Sequence, residues 1–123
     1  MQEKRGIFMI RKASECKVEA RENMRGGDGV VKITNFVTKE ELNDKGRLFA
    51  NITLEPNCGI GYHVHENDCE IFYVQKGTAE YNDNGTVVTV SAGDVLITPA
   101  GTGHSIANHS DENVELIAVI VYA

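Results

Sequence analysis

The chain has 123 residues, the size of one domain, with an ordinary globular composition of 41% hydrophobic and 24% charged residues. Its formal charge of −6, with no stripe of Lys and Arg, argues against a nucleic-acid surface built on phosphate contacts. No apolar run approaches the length of a membrane span, and Gly6 to Ile10 is too short for a signal peptide.

In chain order, Met1 to Lys12 is charged and ends in the apolar patch Ile7-Phe8-Met9-Ile10. Residues 1–12 are expected to form an arm that is partly disordered or exchanged within a dimer, and Met9 offers a second start. Ala13 to Arg25 has one large aliphatic residue, Val18, before Met24, so it reads as short extended pieces and turns. Arg25-Gly26-Gly27-Asp28-Gly29 is a loop. It lacks the Lys-Ser/Thr and the helix that would make it a phosphate cradle. At such a turn Met24 and Arg25 can reach over the mouth of a barrel.

Val30 to Val37 is rich in β-branched residues and reads as a strand. Thr38 stands three before Glu41, the spacing of a capping box, which predicts one helical turn or a charged loop. Arg47 to Leu54 follows as a strand with Leu48, Ala50, Ile52 and Leu54 on one face. After the turn at Glu55 to Gly59 comes Gly61-Tyr62-His63-Val64-His65. Ile71 to Val74 is apolar on both faces, so it needs cover on both sides. Phe72 and Val74 are assigned to the interior; Ile71 and Tyr73 need a second layer or a partner subunit. Thr78 to Tyr81 and Thr86 to Val90 flank Asn84-Gly85, a strong hairpin signal. Val95 to Thr98, the stretch from His104 through Ile106, and Val114 to Tyr122 complete seven or eight strands. The pattern predicts an all-β sandwich or small barrel in a single domain, with little or no helix.

His63 and His65 are two apart, so in an extended strand both imidazoles point to one face. Glu70 lies at an odd offset from His65, and the polar run Glu66-Asn67-Asp68 supplies the turn that brings it back. A Pro and two Gly in Pro99-Ala100-Gly101-Thr102-Gly103 deliver His104 at the head of another strand. Three His and one Glu from three strand segments suit a divalent transition metal. His109 reads as an exposed bystander. Cys16, Cys58 and Cys69 are odd in number and form no CxxC, so they read as reduced thiols of a cytoplasmic protein.

At these residues the sequence closely resembles the cupin family. The first cupin motif corresponds to His63-x-His65, Glu70 and Gly77, with Asn57 where the leading glycine is expected. Asn tolerates the left-handed backbone angles that position needs. The second motif is complete: Gly93, Pro99, Gly101, His104, Asn108. The resemblance implies a double-stranded β-helix, or jelly-roll barrel, and a metal held by His63, His65, Glu70 and His104. Two-sided apolar strands add the expectation of a homodimer.

Three neutral imidazoles and one carboxylate leave a divalent ion with a net charge of about +1 and two open octahedral positions. Such a centre favours an anionic oxygen and acts as a Lewis acid and template. Phe72, Val74 and Ile106 would keep its surroundings apolar. Mn, Fe, Ni, Co and Zn all suit the donor set. The expected partner is a small oxygenated molecule, a sugar, sugar acid or other carboxylate, handled by isomerase, epimerase, lyase or decarboxylase chemistry. The alternatives are an Fe(II)-dependent dioxygenase and a non-catalytic binder of metal or small ligand. Candidates for a general acid or base are Tyr62, Tyr73, Tyr81 and Arg25.

Overall fold

Burial alternates with period two along most of the chain, and that alternation builds two facing sheets. A computed structural model describes residues 9–123; the expected arm therefore lies outside the described residues as far as position 8. The strands are β1 (Lys17–Glu22), β2 (Val30–Asn35), β3 (Gly46–Leu54), β4 (Gly59–Val64), β5 (Asp68–Lys76), β6 (Thr78–Asp83), β7 (Thr86–Ser91), β8 (Val95–Thr98), β9 (Gly103–Ala107) and β10 (Val114–Tyr122). A six-stranded sheet runs β1-β2-β3-β10-β5-β8 and a four-stranded sheet β4-β9-β6-β7, all neighbours antiparallel. This is the jelly-roll layout, with the core between the two sheets.

Ten strands appear against a count of seven or eight from the sequence; nine fall on segments read there as extended, and the tenth is β1. The added edge strand β1 is exposed along nearly its whole length, so it carries no hydrophobic period to detect. Among the described residues helix is confined to three single 3-10 turns, Ala13–Glu15, Met24–Gly26 and Glu40–Leu42. The last has the expected capping exchange: the Thr38 amide donates to Glu41 Oε1 at 2.8 Å, and the Glu41 amide to Thr38 Oγ1 at 3.2 Å.

Inward-facing Ile52, Leu54, Phe72, Val74, Ile106 and Leu116 fill the space between the sheets. Asn57 does adopt the left-handed conformation, at φ 66°. Its amide donates to the Asn108 carbonyl at 2.8 Å, tying the start of one motif to the end of the other. Gly61 matters for a different reason. A Cβ there would collide with the Arg25 carbonyl, so glycine lets the Met24–Gly26 turn settle against β4 at the open end of the barrel.

Candidate metal centre

The four proposed ligands come from both sheets. His63 lies on β4 and His65 just beyond its end, His104 lies on β9, and Glu70 reaches across from β5. His63 pairs in register with His104. The backbone of His65 is bonded to the second motif on both sides: its amide donates to the Thr102 carbonyl at 3.0 Å and its carbonyl accepts from the Gly101 amide at 2.6 Å. The bend that was expected to deliver His104 therefore also holds His65.

The three imidazole centroids form a near-equilateral triangle with sides of 4.8 to 5.0 Å. Phe72 stacks under His104 at 5.2 Å and closes the apolar floor. One donor atom from each of His63, His65, Glu70 and His104 lies within 4.8 Å of all the others. His65, Glu70 and His104 are almost fully buried, and His63 sits nearer the opening.

Each ring is held through Nδ1. His63 Nδ1 meets the Gly61 carbonyl at 2.8 Å, and His65 Nδ1 meets Asp68 Oδ1 at 2.6 Å. Both oxygens are acceptors, so Nδ1 carries the proton and Nε2 presents its lone pair inward. His104 Nδ1 lies 2.9 Å from both the Tyr81 and the Thr98 hydroxyls, which are 2.8 Å from each other. With Nδ1–H donating there, its Nε2 also faces inward.

His65 Nε2, His104 Nε2 and Glu70 Oε1 then converge with separations of 3.1 to 3.2 Å. Three buried acceptors this close repel one another unless a proton or a metal cation stands between them. Two cis donors about 2.1 Å from one ion lie about 3.0 Å apart, which matches these separations. The donor set fits a divalent transition metal. Outer hydrogen bonds to ligating histidines orient the rings and raise their basicity.

The titration behaviour follows from the same contacts. The bond to Glu70, helped by Asp68 against the effect of burial, raises His65 above the ordinary imidazole value. Burial pushes His63 down, assisted by the neighbouring His104 and Arg25 charges. Burial alone would raise Glu70, but the bonds to His104 and His65 hold it below the usual carboxylate range.

His63, His65 and Glu70 line a cavity of about 80 Å³. Arg21, Arg25 and Arg47 line it too, beside Met24, Leu48 and Ile120. Met24 and Arg25, on the turn between β1 and β2, are both among the lining residues. Tyr81 is buried against His104, where it orients the ring. The structure corrects the expectation for the other two tyrosines. Tyr62 alternates with His63 on β4, so it turns outward and packs over Gly103; Tyr73 alternates with Phe72 on β5 and faces solvent.

Sequence reasoning missed Asp68, Thr98, Arg21 and Arg47. Asp68 reads as part of a polar turn, but it is the first residue of β5 and shares the inner face with Glu70, two residues on. Its Oδ2 accepts from Arg47 Nε at 2.9 Å, giving a continuous line Arg47–Asp68–His65. The even spacing from Glu70 was the available signal. Nothing local marks Arg47, which comes from a distant strand.

Comparison with known proteins agrees with this architecture. The family model for the cupin domain matches residues 50–120. An oxalate-binding protein from Thermotoga maritima is 41% identical over 118 residues, covering 96% of this chain and 98% of its own length. A crystal structure of a predicted oxalate decarboxylase from Thermotoga maritima superposes with a TM-score of 0.89 at 40% identity, over 94% of this chain and 100% of that one. A Cupin 2 conserved barrel domain protein from Salinispora arenicola shares the fold alone, with a TM-score of 0.72 at 23% identity over 94% of this chain and 90% of that one. With both motifs in place, two sheets in jelly-roll order and a family match over more than half its length, the chain belongs to the cupin family.

Proposed function

We propose that this cupin binds a small dicarboxylate of the oxalate class through one divalent transition metal held by His63, His65, Glu70 and His104. The observation that carries the reading is the composition of the cavity around the ligands. Its other polar groups are the guanidinium groups of Arg21, Arg25 and Arg47. Guanidinium holds carboxylates with planar, paired donors and stays charged at every physiological pH. A centre of net charge about +1 with arginines lining its cavity favours a dianion over a neutral sugar. A volume of about 80 Å³ suits a ligand of a few heavy atoms, since one water occupies about 30 Å³ of liquid. The names of the Thermotoga maritima relatives support the same class.

When bound, the metal would accept the ligand's carboxylate oxygens and polarise them. Around it, the Gly61, Asp68, Thr98 and Tyr81 oxygens hold the imidazoles, and Arg25, with the donors that Arg21 and Arg47 keep beyond their bonds to Glu19 and Asp68, would receive the second carboxylate. Isomerisation or epimerisation needs a group that takes a proton from carbon, and arginine does not exchange protons near neutral pH. The lining therefore supports binding over proton-transfer chemistry. Cleavage of the bound dicarboxylate is the second reading, supported by the relative described as a predicted oxalate decarboxylase. Cys16, Cys58 and Cys69 are free thiols, which supports a reducing compartment such as the cytoplasm. Among the described residues no helix is long and apolar enough to cross a membrane.

Calorimetric titration of metal-loaded protein with oxalate, malonate and glucose tests the reading. Oxalate should bind only when metal is present, and Arg25→Ala should weaken it about tenfold, the loss of one charge-assisted contact. Absence of oxalate binding at millimolar concentration, or equal binding by metal-free protein, refutes it. Release of carbon dioxide from oxalate would decide for cleavage.

A further inference from the structure

Of the three arginines that line the cavity, Arg25 alone has a guanidinium with no hydrogen-bond or ion-pair partner among the described residues. Arg21 is bonded to Glu19 at 3.3 Å and Arg47 to Asp68 at 2.9 Å. The backbone of Arg25 is unusual as well. Residues Asn23 to Gly29 join β1 to β2, and the Asn23 amide closes them by donating to the Gly29 carbonyl at 2.9 Å. Within this turn Asn23, Arg25, Gly26 and Gly29 take left-handed angles, with φ of 51°, 54°, 83° and 71°. Glycine and asparagine adopt such angles readily. Arginine does not, because its Cβ crowds the carbonyl that follows. A residue kept in that region is held there by its surroundings, and such positions cluster at binding sites.

The part that holds Arg25 is Gly61. It lies where the pairing of β4 with β9 is irregular: Ile60 pairs with Ile106 and His63 with His104, so Gly61 and Tyr62 stand against Ser105 alone. A Cβ on Gly61 would collide with the Arg25 carbonyl and lie 2.9 Å from the Gly27 nitrogen. A Cβ on Gly27 would collide with the Gly59 carbonyl and lie 2.7 Å from the Gly61 nitrogen. Main chain thus rests directly on main chain, with no side chain between that could give way. Gly61 is not among the residues of positive φ, so it supplies room rather than a special conformation. Its carbonyl also accepts from His63 Nδ1 at 2.8 Å. One residue therefore fixes both the ligand His63 and the turn that carries Arg25.

We infer that Arg25 is the specificity-determining residue of this site, taking the carboxylate that the metal leaves free, and that Gly61 is the positioning residue that sets Arg25 relative to His63. The inference rests on the dicarboxylate reading above, and adds to it which arginine discriminates and what places it. The discrimination is between a dianion and a monoanion of similar length. Both offer one carboxylate to the metal, and only the dianion offers Arg25 another. The left-handed angle at Arg25 then serves binding rather than stability.

Calorimetric titration of metal-loaded, full-length protein with oxalate and with glycolate reads this discrimination. Arg25→Asn tolerates the left-handed angle but removes the guanidinium. It should weaken oxalate about tenfold and glycolate less than about twofold. The melting temperature of its metal-free form should be unchanged or raised. Gly61→Ala should displace the turn and weaken oxalate about as much, while metal affinity stays within about threefold because all four ligands and the Gly61 carbonyl remain. Gly61→Ala/Arg25→Asn should bind oxalate no more weakly than Arg25→Asn, since there is no guanidinium left to displace. If Gly61→Ala fails to fold, Gly27→Ala presses on the same contact from the other side and should give the same loss. Equal losses for oxalate and glycolate in Arg25→Asn, a lowered melting temperature of that variant, or a double variant that multiplies the two separate losses overturns the inference. A wild type that binds oxalate while Arg25→Asn binds it equally well overturns this inference alone. A wild type that does not bind oxalate refutes the dicarboxylate reading and this inference with it.

Discussion

Asp68→Asn tests the metal centre most sharply, because it alters no ligand. In the native protein Asp68 Oδ1 accepts from His65 Nδ1 at 2.6 Å, and Oδ2 accepts from Arg47 Nε at 2.9 Å. Asparagine keeps the volume but removes the charge and offers one acceptor for two donors. Removing such an outer partner of a ligating histidine costs about 10–100-fold in metal affinity, or about 1.4–2.7 kcal/mol. An opposing effect must be weighed. Asp68 helps to raise the His65 value, second to Glu70, so in the native protein a proton competes with the metal more strongly. The variant relieves part of that competition at low pH. Its deficit should therefore be full at about pH 8 and shrink toward pH 6. In metal-free protein His65, raised on folding, contributes stability below its unfolded value of about 6.5 and loses it as pH rises through the folded value. Competition with a chromophoric chelator, at several pH values, measures the ratio of dissociation constants. A ratio near one at pH 8, or a ratio that grows on acidification, refutes the reasoning.

Stripping the metal with a chelator should lower the melting temperature, since the buried acceptors would again face one another. At about 100 times the dissociation constant the metal contributes about 2.7 kcal/mol, roughly 10 °C for a domain of this size, and calorimetry with re-added Mn or Zn checks the recovery. Tyr81→Phe and Thr98→Val should each weaken metal binding only several-fold, because each hydroxyl covers for the other at His104 Nδ1. The double variant should lose more than the two separate losses combined, and calorimetric titration reads the coupling. Asp68 and Glu70 are held below their ordinary values against the opposing effect of burial, by Arg47 and His65 and by His104 and His65 respectively. The Arg11 bond brings Glu41 to about 2. Groups lowered on folding contribute stability above their unfolded values and lose it as pH falls through the folded ones. Metal-free protein should therefore destabilise progressively from about pH 4.5 toward pH 2, as a denaturant series would show. His104→Ala should lower metal affinity at least a hundredfold while the sheets persist in circular dichroism, because it removes a ligand outright.

How much of this was legible along the chain depended on the range of the physics involved. The two-residue repeat of β3, β5 and β10 follows from the pleat, so inner and outer faces could be assigned from spacing alone. The Asn84-Gly85 hairpin was equally local: both residues take positive φ, 48° and 106°, as that turn demands. His63, His65, Glu70 and His104 stood out because each combines a chemically specific residue with a turn or a strand parity. The edge strand β1 was illegible because its residues are nearly all exposed. Tyr62, Tyr73 and Tyr81 look alike in sequence, yet only Tyr81 faces the histidines, through the pairing of β6 with β9. Asp68, Thr98 and Arg47 gained their roles from contacts across strands that no local pattern encodes. Local stereochemistry thus determined most of the strands, the turns and the convergence of His63, His65, Glu70 and His104. Which oxygens orient the imidazoles, and which guanidinium groups surround the cavity, was decided only when the two sheets closed on each other, because those contacts join residues far apart in the chain.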